Sequence, residues 1–291
     1  MEYTIVKIPK RSGGFRTIYA PSPELKEKQR KLLKMLEKTS KITGLRPTPF
    51  MMGFMKNRSI LENAKQHQDK KYIINIDIEN FFNNCKKSNM PEDLKSALKI
   101  LKHTRPIKNY LSEEEIEFLK NENIEEIIFY EDFLPQGAPT SPFLSNFWLK
   151  EVDFMIVKVL KDQISDDIRY TRYADDITIS SNSKAIFAPI TLEIIEKILN
   201  KHGFKINTKK IKKMTKSARK EITGLVVNSG KPTVSKKFRL KVRAAVHNFL
   251  HKKEYQTEEE RRKILGWLGF VHMTHPELAK KMMEKVNQVK I

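Results

Sequence analysis

The apolar positions of this chain fall into short alternating runs separated by longer stretches with helical spacing. Residues 5–9 (IVKIP) and 15–21 (FRTIYAP) have the character of two short strands joined through a Gly13-Gly14 turn. Leu25, Leu32, Leu33 and Leu36 share one face of a helix predicted over 24–39. Prolines, glycines and methionines make 44–56 a loop, after which Ser59 caps a short helix to Gln66, with Glu62 completing a capping box. The run YIINIDI within 71–78 alternates isoleucines with polar residues and predicts a strand ending at Asp77. Helices are predicted over 92–102 and 112–121, the second opening on a Ser112/Glu115 capping box. Pro142 opens a further helix to about Leu160, with Phe143, Phe147 and Phe154 on its core face. A hairpin over 168–180 turns at Ala174-Asp175-Asp176, an amphipathic helix over 185–202 ends at Gly203, and a strand pair lies around 221–227. From Ser235 onward the pattern is helical, in three pieces divided near Tyr255 and His275-Pro276. This order predicts an α+β fold: an antiparallel-dominated sheet with helices, followed by a helical C-terminal module.

Composition adds three constraints. With 291 residues, 39% hydrophobic and 9% aromatic, the chain has the material for about two compact units and is not a disordered tail. A single cysteine, Cys85, excludes a disulfide scaffold and any multi-cysteine zinc site and fits a reducing compartment. The start MEYTIVKIPK holds no apolar run of signal-peptide length and no segment has the span of a membrane helix, so a cytoplasmic protein with no membrane partner is expected.

The net charge of +21 is unevenly distributed. Residues 201–291 hold 24 basic and 7 acidic residues, a net of +17, which leaves +4 for the first 200. A basic module on a nearly balanced body indicates a polyanion partner, because each neutralised phosphate releases condensed counterions. Asp77 at a strand end and Asp175-Asp176 at a hairpin tip supply the opposite sign. Adjacent Asp residues at a tip are ordinary turn chemistry. Flanked by Tyr173 and two apolar strands, however, they are carboxylates whose repulsion a hard divalent cation would relieve, as in the paired-ion sites of phosphoryl transfer.

The motifs then become specific. Tyr173-Ala174-Asp175-Asp176 resembles the catalytic box of reverse transcriptases. Four further blocks match that family in order: PKRSGGFRTIYAP at 9–21, INIDIENFF at 74–82, PQGAPTSPFLSN at 135–146 and GFKINTKK at 203–210. Asn63-Ala64-Lys65-Gln66-His67 resembles the Asn-Ala-x-x-His signature of the retron type, and Ile222-Thr223-Gly224 its Val-Thr-Gly signature with an apolar change at the first position. The group II intron-like and diversity-generating types, and a non-catalytic RNA-binding scaffold that restrains an effector, are the alternatives.

The resemblance implies a right-hand polymerase fold. Residues 1–70 would form fingers, 71–230 the palm with part of the fingers inserted at about 85–135, and 231–291 a helical basic thumb. It implies an RNA-directed DNA polymerase that copies part of a structured noncoding RNA into single-stranded DNA joined to that RNA (msDNA), in an antiphage defence system with an effector protein. Asp77, Asp175 and Asp176 would be catalytic, holding two Mg²⁺ ions with the Ile78 carbonyl, and Mn²⁺ would be a possible substitute. Lys10, Arg16, Phe82, Gln136, Gly137 and Lys210 would meet the incoming dNTP, Phe82 as the gate against a 2′-hydroxyl. Asn63 and His67, four apart on one helical face, either touch RNA or pair within the structure. Lys236, Lys237, Arg239, Lys241 and Arg243 would grip RNA and primer–template, and Trp267 either stacks a base or packs in the thumb core.

Overall fold

The computed structural model describes residues 2–10 and 13–291. A two-stranded antiparallel hairpin opens the chain, β1 (Tyr3–Pro9) against β2 (Phe15–Pro21), with Gly13 and Gly14 both at positive φ in the turn. Helix α1 (Pro23–Thr39) follows, capped by the Ser22 hydroxyl accepting from Leu25 N, and buries Leu25, Leu32, Met35 and Leu36. After a loop comes α2 (Ile60–Lys65), where Ser59 accepts from Glu62 N. The predicted reciprocal half of that capping box is not made, because the Glu62 carboxylate pairs with Lys65 Nζ at 2.7 Å instead.

Strand β3 (Tyr72–Asp77) leads into α3 (Phe81–Asn84), α4 (Glu92–His103), α5 (Glu113–Asn121) and α6 (Ile124–Ile128). The Ser112/Glu115 capping box at the start of α5 is complete. The single helix expected from Pro142 to Leu160 is two, α7 (Ser141–Trp148) and α8 (Lys150–Gln163), broken at Leu149, whose backbone (φ −107°, ψ 11°) leaves the helical region. The break rotates the second half: Phe143 and Phe147 are buried as expected, but Phe154 is 50% exposed and stands edge-on to Phe50. Hairpin β4 (Arg169–Tyr173) and β5 (Asp176–Ser181) comes next. The helix expected over 185–202 begins only at Pro189, as α9 (Pro189–Lys201), since proline belongs at a helix start and a 3₁₀ turn fills 184–187.

Strands β3 to β5 and β6 (Lys212–Met214) form one antiparallel sheet in the order β4-β5-β3-β6, covered by the helices of the main core. Three short strands, β7 (Glu221–Ile222), β8 (Leu225–Val226) and β9 (Thr233–Val234), make a second small sheet. It packs under α10 (Lys236–His251), α11 (Glu258–His272) and α12 (Pro276–Gln288), the three helical pieces read from the sequence. This second core is separate from the first; it reaches back to Met214 and takes in Ala64 of α2 and Ile73 of β3. Among the described residues, no helix is long and apolar enough to cross a membrane.

Candidate active site

The sheet register brings the carboxylates together. Antiparallel pairing of β3 with β5 sets Asp77 opposite Asp176, and the β4–β5 turn carries Ala174 and Asp175 beyond it. Ala174 takes a left-handed conformation (φ 58°), which a non-glycine residue holds only when its surroundings fix it. Several contacts do so. Asp175 O accepts from Ile78 N at 3.0 Å, tying the turn to the end of β3. Ala174 O accepts from Arg172 Nη1 at 3.2 Å. The loop before α2 presses on the other side, where a Cβ on Gly53 would lie 2.7 Å from Ala174 N.

Arg172 is itself fully buried, as is its partner Asp153 on α8. Its Nε donates to Asp153 Oδ1 and its Nη2 to Asp153 Oδ2, each at 2.8 Å. Nη1 also reaches Asn146 Oδ1 at 3.3 Å, and Nη2 the Asn146 carbonyl at 2.9 Å. Together with the bond to Ala174 these use all the guanidinium donors, and the Tyr170 hydroxyl adds a 2.7 Å bond to Asp153. Asn146 also donates to Gly53 O at 2.9 Å, so one buried cluster fixes both the turn and the loop that clamps it.

The turn looks onto a cleft of about 1230 Å³ between the sheet and the β1–β2 hairpin. Asp77, Asp175 and the Ile78 position form its floor; Lys10 and Arg16 reach it from the hairpin; Phe82, Gln136 and Lys210 line its sides. Asp176 and Gly137 are not among the lining residues. Asp176 lies beside the floor, across the sheet register from Asp77. Gly137 (φ 129°) is needed for a contact within the protein: a Cβ there would sit 2.5 Å from Tyr19 O, and the neighbouring Gln136 O accepts from Tyr19 N at 2.8 Å. The block containing Gln136 and Gly137 therefore anchors the hairpin to the body of the fold. The two adjacent phenylalanines divide their roles, Phe81 in the core and Phe82 half-buried in the cleft, 6.4 Å between ring centres from Phe54.

The electrostatics match the geometry. Burial raises the Asp175 carboxyl above its usual range, and the nearby Asp77 charge pushes the same way. Asp176, although its residue is exposed at the surface, is pushed up to about 6 by partial loss of hydration beside the packed strands and by repulsion from Asp175 and Asp77. Lys210 Nζ sits 2.9 and 3.0 Å from the two Asp77 oxygens, and that bond raises its own pKa. Asn207, which sequence reasoning does not single out, donates Nδ2 to Asp77 Oδ2 at 3.1 Å and its backbone N to Asp77 O at 2.8 Å. The Asn-x-x-Lys spacing of 207–210 is the signal for it, since that spacing delivers both side chains to one carboxylate.

No group of three or more His, Cys, Asp or Glu side chains is placed to hold a metal among the described residues. Two carboxylates facing one cleft are nevertheless the protein share that Mg²⁺ takes when substrate phosphates complete its shell. The donors are all oxygen, and a lysine ammonium already stands on Asp77 as a cationic substitute. The residues therefore fit a hard divalent cation.

The remaining sequence-derived residues lie elsewhere. Asn63 and His67 are 1% and 0% exposed, so they are interior hydrogen-bonding residues with no side-chain surface for RNA. Lys236, Lys237, Lys241 and Arg243 are exposed along α10, whereas Arg239 is half-buried with Nη1 3.2 Å from His275 Nε2. Trp267 packs edge-on to Phe238 in the second core, with Lys241 and Lys263 ammonium groups 4.4 and 5.3 Å from its ring centre.

Residues 8–270 match the family described as reverse transcriptase (RNA-dependent DNA polymerase). The retron Ec86 reverse transcriptase of Escherichia coli is 32% identical over 258 residues, covering 88% of this chain and 71% of that protein. The retron Mx162 reverse transcriptase of Myxococcus xanthus is 28% identical over 310 residues, covering 99% of this chain but only 61% of that longer protein. Among solved structures, a foamy viral protease–reverse transcriptase in complex with double-stranded DNA superposes over 100% of this chain and 40% of its own, with a TM-score of 0.52 at 18% identity, a likeness of fold alone. With the family match spanning most of the chain and its relatives named for retrons, this protein belongs to the reverse transcriptase family, in its retron type.

Proposed function

We propose that the protein binds a structured noncoding RNA and copies part of it into single-stranded DNA that stays joined to the RNA, using Asp77 and Asp175 as its catalytic carboxylates. The observation that carries this reading is the convergence of those two residues with Arg16, Phe82 and Lys210 on a single cleft. Asp77, Asp175 and the Ile78 carbonyl would hold two Mg²⁺ ions, with Asp176 close by to tune their charge. Bound there, the ions supply activation of the primer hydroxyl and stabilisation of the leaving oxygen.

The chain's own residues do the rest. Arg16 and Lys10 on the hairpin receive the triphosphate, the guanidinium as a planar fork and the ammonium as a point charge. Phe82 faces the sugar, where its ring collides with a 2′-hydroxyl. Gln136 meets the base pair from the side, and Lys210 reaches the phosphates from its position on Asp77. The cleft between hairpin and sheet corresponds to fingers over palm, and α10 to α12 to a thumb whose exposed Lys236, Lys237, Lys241 and Arg243 follow the phosphates of RNA and primer–template by shape and charge. A cytoplasmic setting and a role in antiphage defence beside an effector protein rest on the retron relationship.

Digestion of the nucleic acid that co-purifies with the protein, separately with RNase and DNase, tests the reading. A small DNA that remains attached to a short RNA supports it; RNA alone, with no DNA from the wild-type protein, overturns it.

A further inference from the structure

The two signature segments that distinguish the retron type, at 63–67 and 222–224, meet inside the protein through a single chain of hydrogen bonds. His67 Nδ1 is 2.7 Å from Ser180 Oγ and Nε2 is 2.8 Å from Thr171 Oγ1. The Thr171 hydroxyl donates to Asn63 Oδ1 at 2.5 Å. Having given its one proton, Thr171 must accept from His67, so the imidazole carries its proton on Nε2 and Nδ1 accepts from Ser180. Asn63 Nδ2 then donates to Thr223 Oγ1 at 3.4 Å, and the Thr223 hydroxyl to Ile60 O at 3.5 Å. Reversing the order would require turning the Asn63 amide and moving the imidazole proton to Nδ1 together, so the members of the chain switch only as a set. Burial, with Arg169 and Lys70 nearby, holds the His67 pKa down to about 3, so the neutral ring that this chain requires is the form present at neutral pH.

The chain has two ends of different character. Thr171 and Ser180 lie on β4 and β5, the hairpin that carries Asp175 and Asp176. Thr223 lies in the β7–β8 turn at positive φ (44°), followed by Gly224 (87°), whose added Cβ would meet Phe270 of α11 at 3.5 Å. Helix α2 and the turn that follows it stand between them: Ala64 packs into the C-terminal core, while Asn63 on the helix and His67 in the turn bond to the sheet. A side chain that moves at one end strands a buried donor or acceptor at the next, which makes the array cooperative.

We infer that this ordered chain seats the C-terminal module on the carboxylate hairpin, which makes Thr171, His67, Asn63 and Thr223 positioning residues for the duplex held between the two. The inference rests on reading the cleft as a primer–template site. The two are separable, because wild-type binding of a duplex tests that reading and hydrogen exchange tests the coupling without any nucleic acid.

The experiment compares Thr171→Val, Thr223→Val, the double variant and Thr171→Ser. Affinity for an RNA-template/DNA-primer duplex is measured by fluorescence anisotropy, and dNTP KM at saturating duplex. Thr171→Val is expected to weaken duplex binding by about tenfold, the scale of one hydrogen bond, and Thr223→Val, whose bonds are longer at 3.4 and 3.5 Å, by about threefold, with the dNTP KM unchanged within about twofold. The double variant should be no weaker than the worse single, since both cut one chain, and Thr171→Ser should restore binding. Hydrogen exchange in Thr171→Val should rise at Glu221–Ile222 and Leu225–Val226, far away in sequence. Unchanged duplex affinity in folded valine variants, simple additivity in the double, or exchange that rises only in β4 overturns the inference. Should Thr171→Val not fold, Thr223→Val at its half-buried turn supplies the same affinity test, with exchange read at Thr171 and its neighbours.

Discussion

Replacement of Arg172 probes how the carboxylate turn is held. The guanidinium and Asp153 are both 0% exposed and joined by two 2.8 Å bonds. Arg172→Lys keeps the charge but cannot fork, so it loses the second bond to Asp153 and the reach to Ala174 O and Asn146. Breaking a buried pair leaves a desolvated carboxylate only partly matched, a loss of about 3–5 kcal/mol when one partner is removed outright and about half that when an ammonium remains. Against a total stability of about 5–15 kcal/mol, the lysine variant should fold with a clearly lower urea midpoint and Arg172→Met with a still lower one. The companion pair Arg172→Met/Asp153→Leu removes both charges and should recover much of the stability. It still leaves Ala174 O unheld, so nucleotide incorporation should stay well below wild type even where the protein is as stable. Urea unfolding by circular dichroism, with single-turnover incorporation on the same samples, reads both quantities. A lysine variant within about 0.5 kcal/mol of wild type, or a double variant with full incorporation, refutes the view that this cluster sets the turn.

Other expectations follow from the same geometry. Phe82→Ala should relax discrimination against ribonucleotides, measured as the ratio of kcat/KM for dNTP and rNTP, and an unchanged ratio would remove the gate role. Asp176, whose folded-state pKa of about 6 lies above its ordinary 3.8, lets the folded protein keep a proton that the unfolded chain has lost between those values, so its stabilising contribution fades as pH rises through that window. Asp176→Asn should therefore raise the melting temperature at pH 7 without divalent ions, while added Mg²⁺ should stabilise the wild type more than the variant; a lower melting temperature would contradict the repulsion. Converting Lys236, Lys237, Lys241 and Arg243 to Gln should flatten the slope of log affinity for RNA against log salt by about 3, roughly 0.7–0.9 for each phosphate that is no longer neutralised. An unchanged slope would place the RNA on another face.

The parts of the fold that local pattern governs were legible in the sequence. The N-terminal hairpin, the strand ending at Asp77, the Ala174-Asp175 turn and the three C-terminal helices follow from apolar period, turn residues and capping chemistry. What was not legible depended on long-range partners. The break at Leu149 and the exposure of Phe154 carry no sequence marker, whereas Pro189, inside the helix expected from 185, does mark where that helix starts. At the site, Asp77, Asp175 and Asp176 stand out by their motifs, yet only the lining of the cleft in the folded chain shows that the first two face it while the third lies beside it. Gly137 looked like a place for a ligand and proved to be a place for Tyr19. Asn63 and His67 have helical spacing that fits a joint surface contact as well as a joint interior one, and burial decides for the interior. Arg172 and Asp153 could not be paired from sequence, because nothing in either segment signals that both charges are fully buried.

The central claim is that Asp77 and Asp175 make one polymerising site with RNA as template. Extension of a DNA primer on an RNA template with Mg²⁺ and dNTPs, compared between wild type and Asp175→Asn at matched duplex occupancy, tests it most directly. Template-dependent extension by the wild type, abolished in Asp175→Asn while RNA binding persists, is the predicted result. Extension that survives in Asp175→Asn, or a well-folded wild type that binds the duplex and adds no nucleotide, would contradict it.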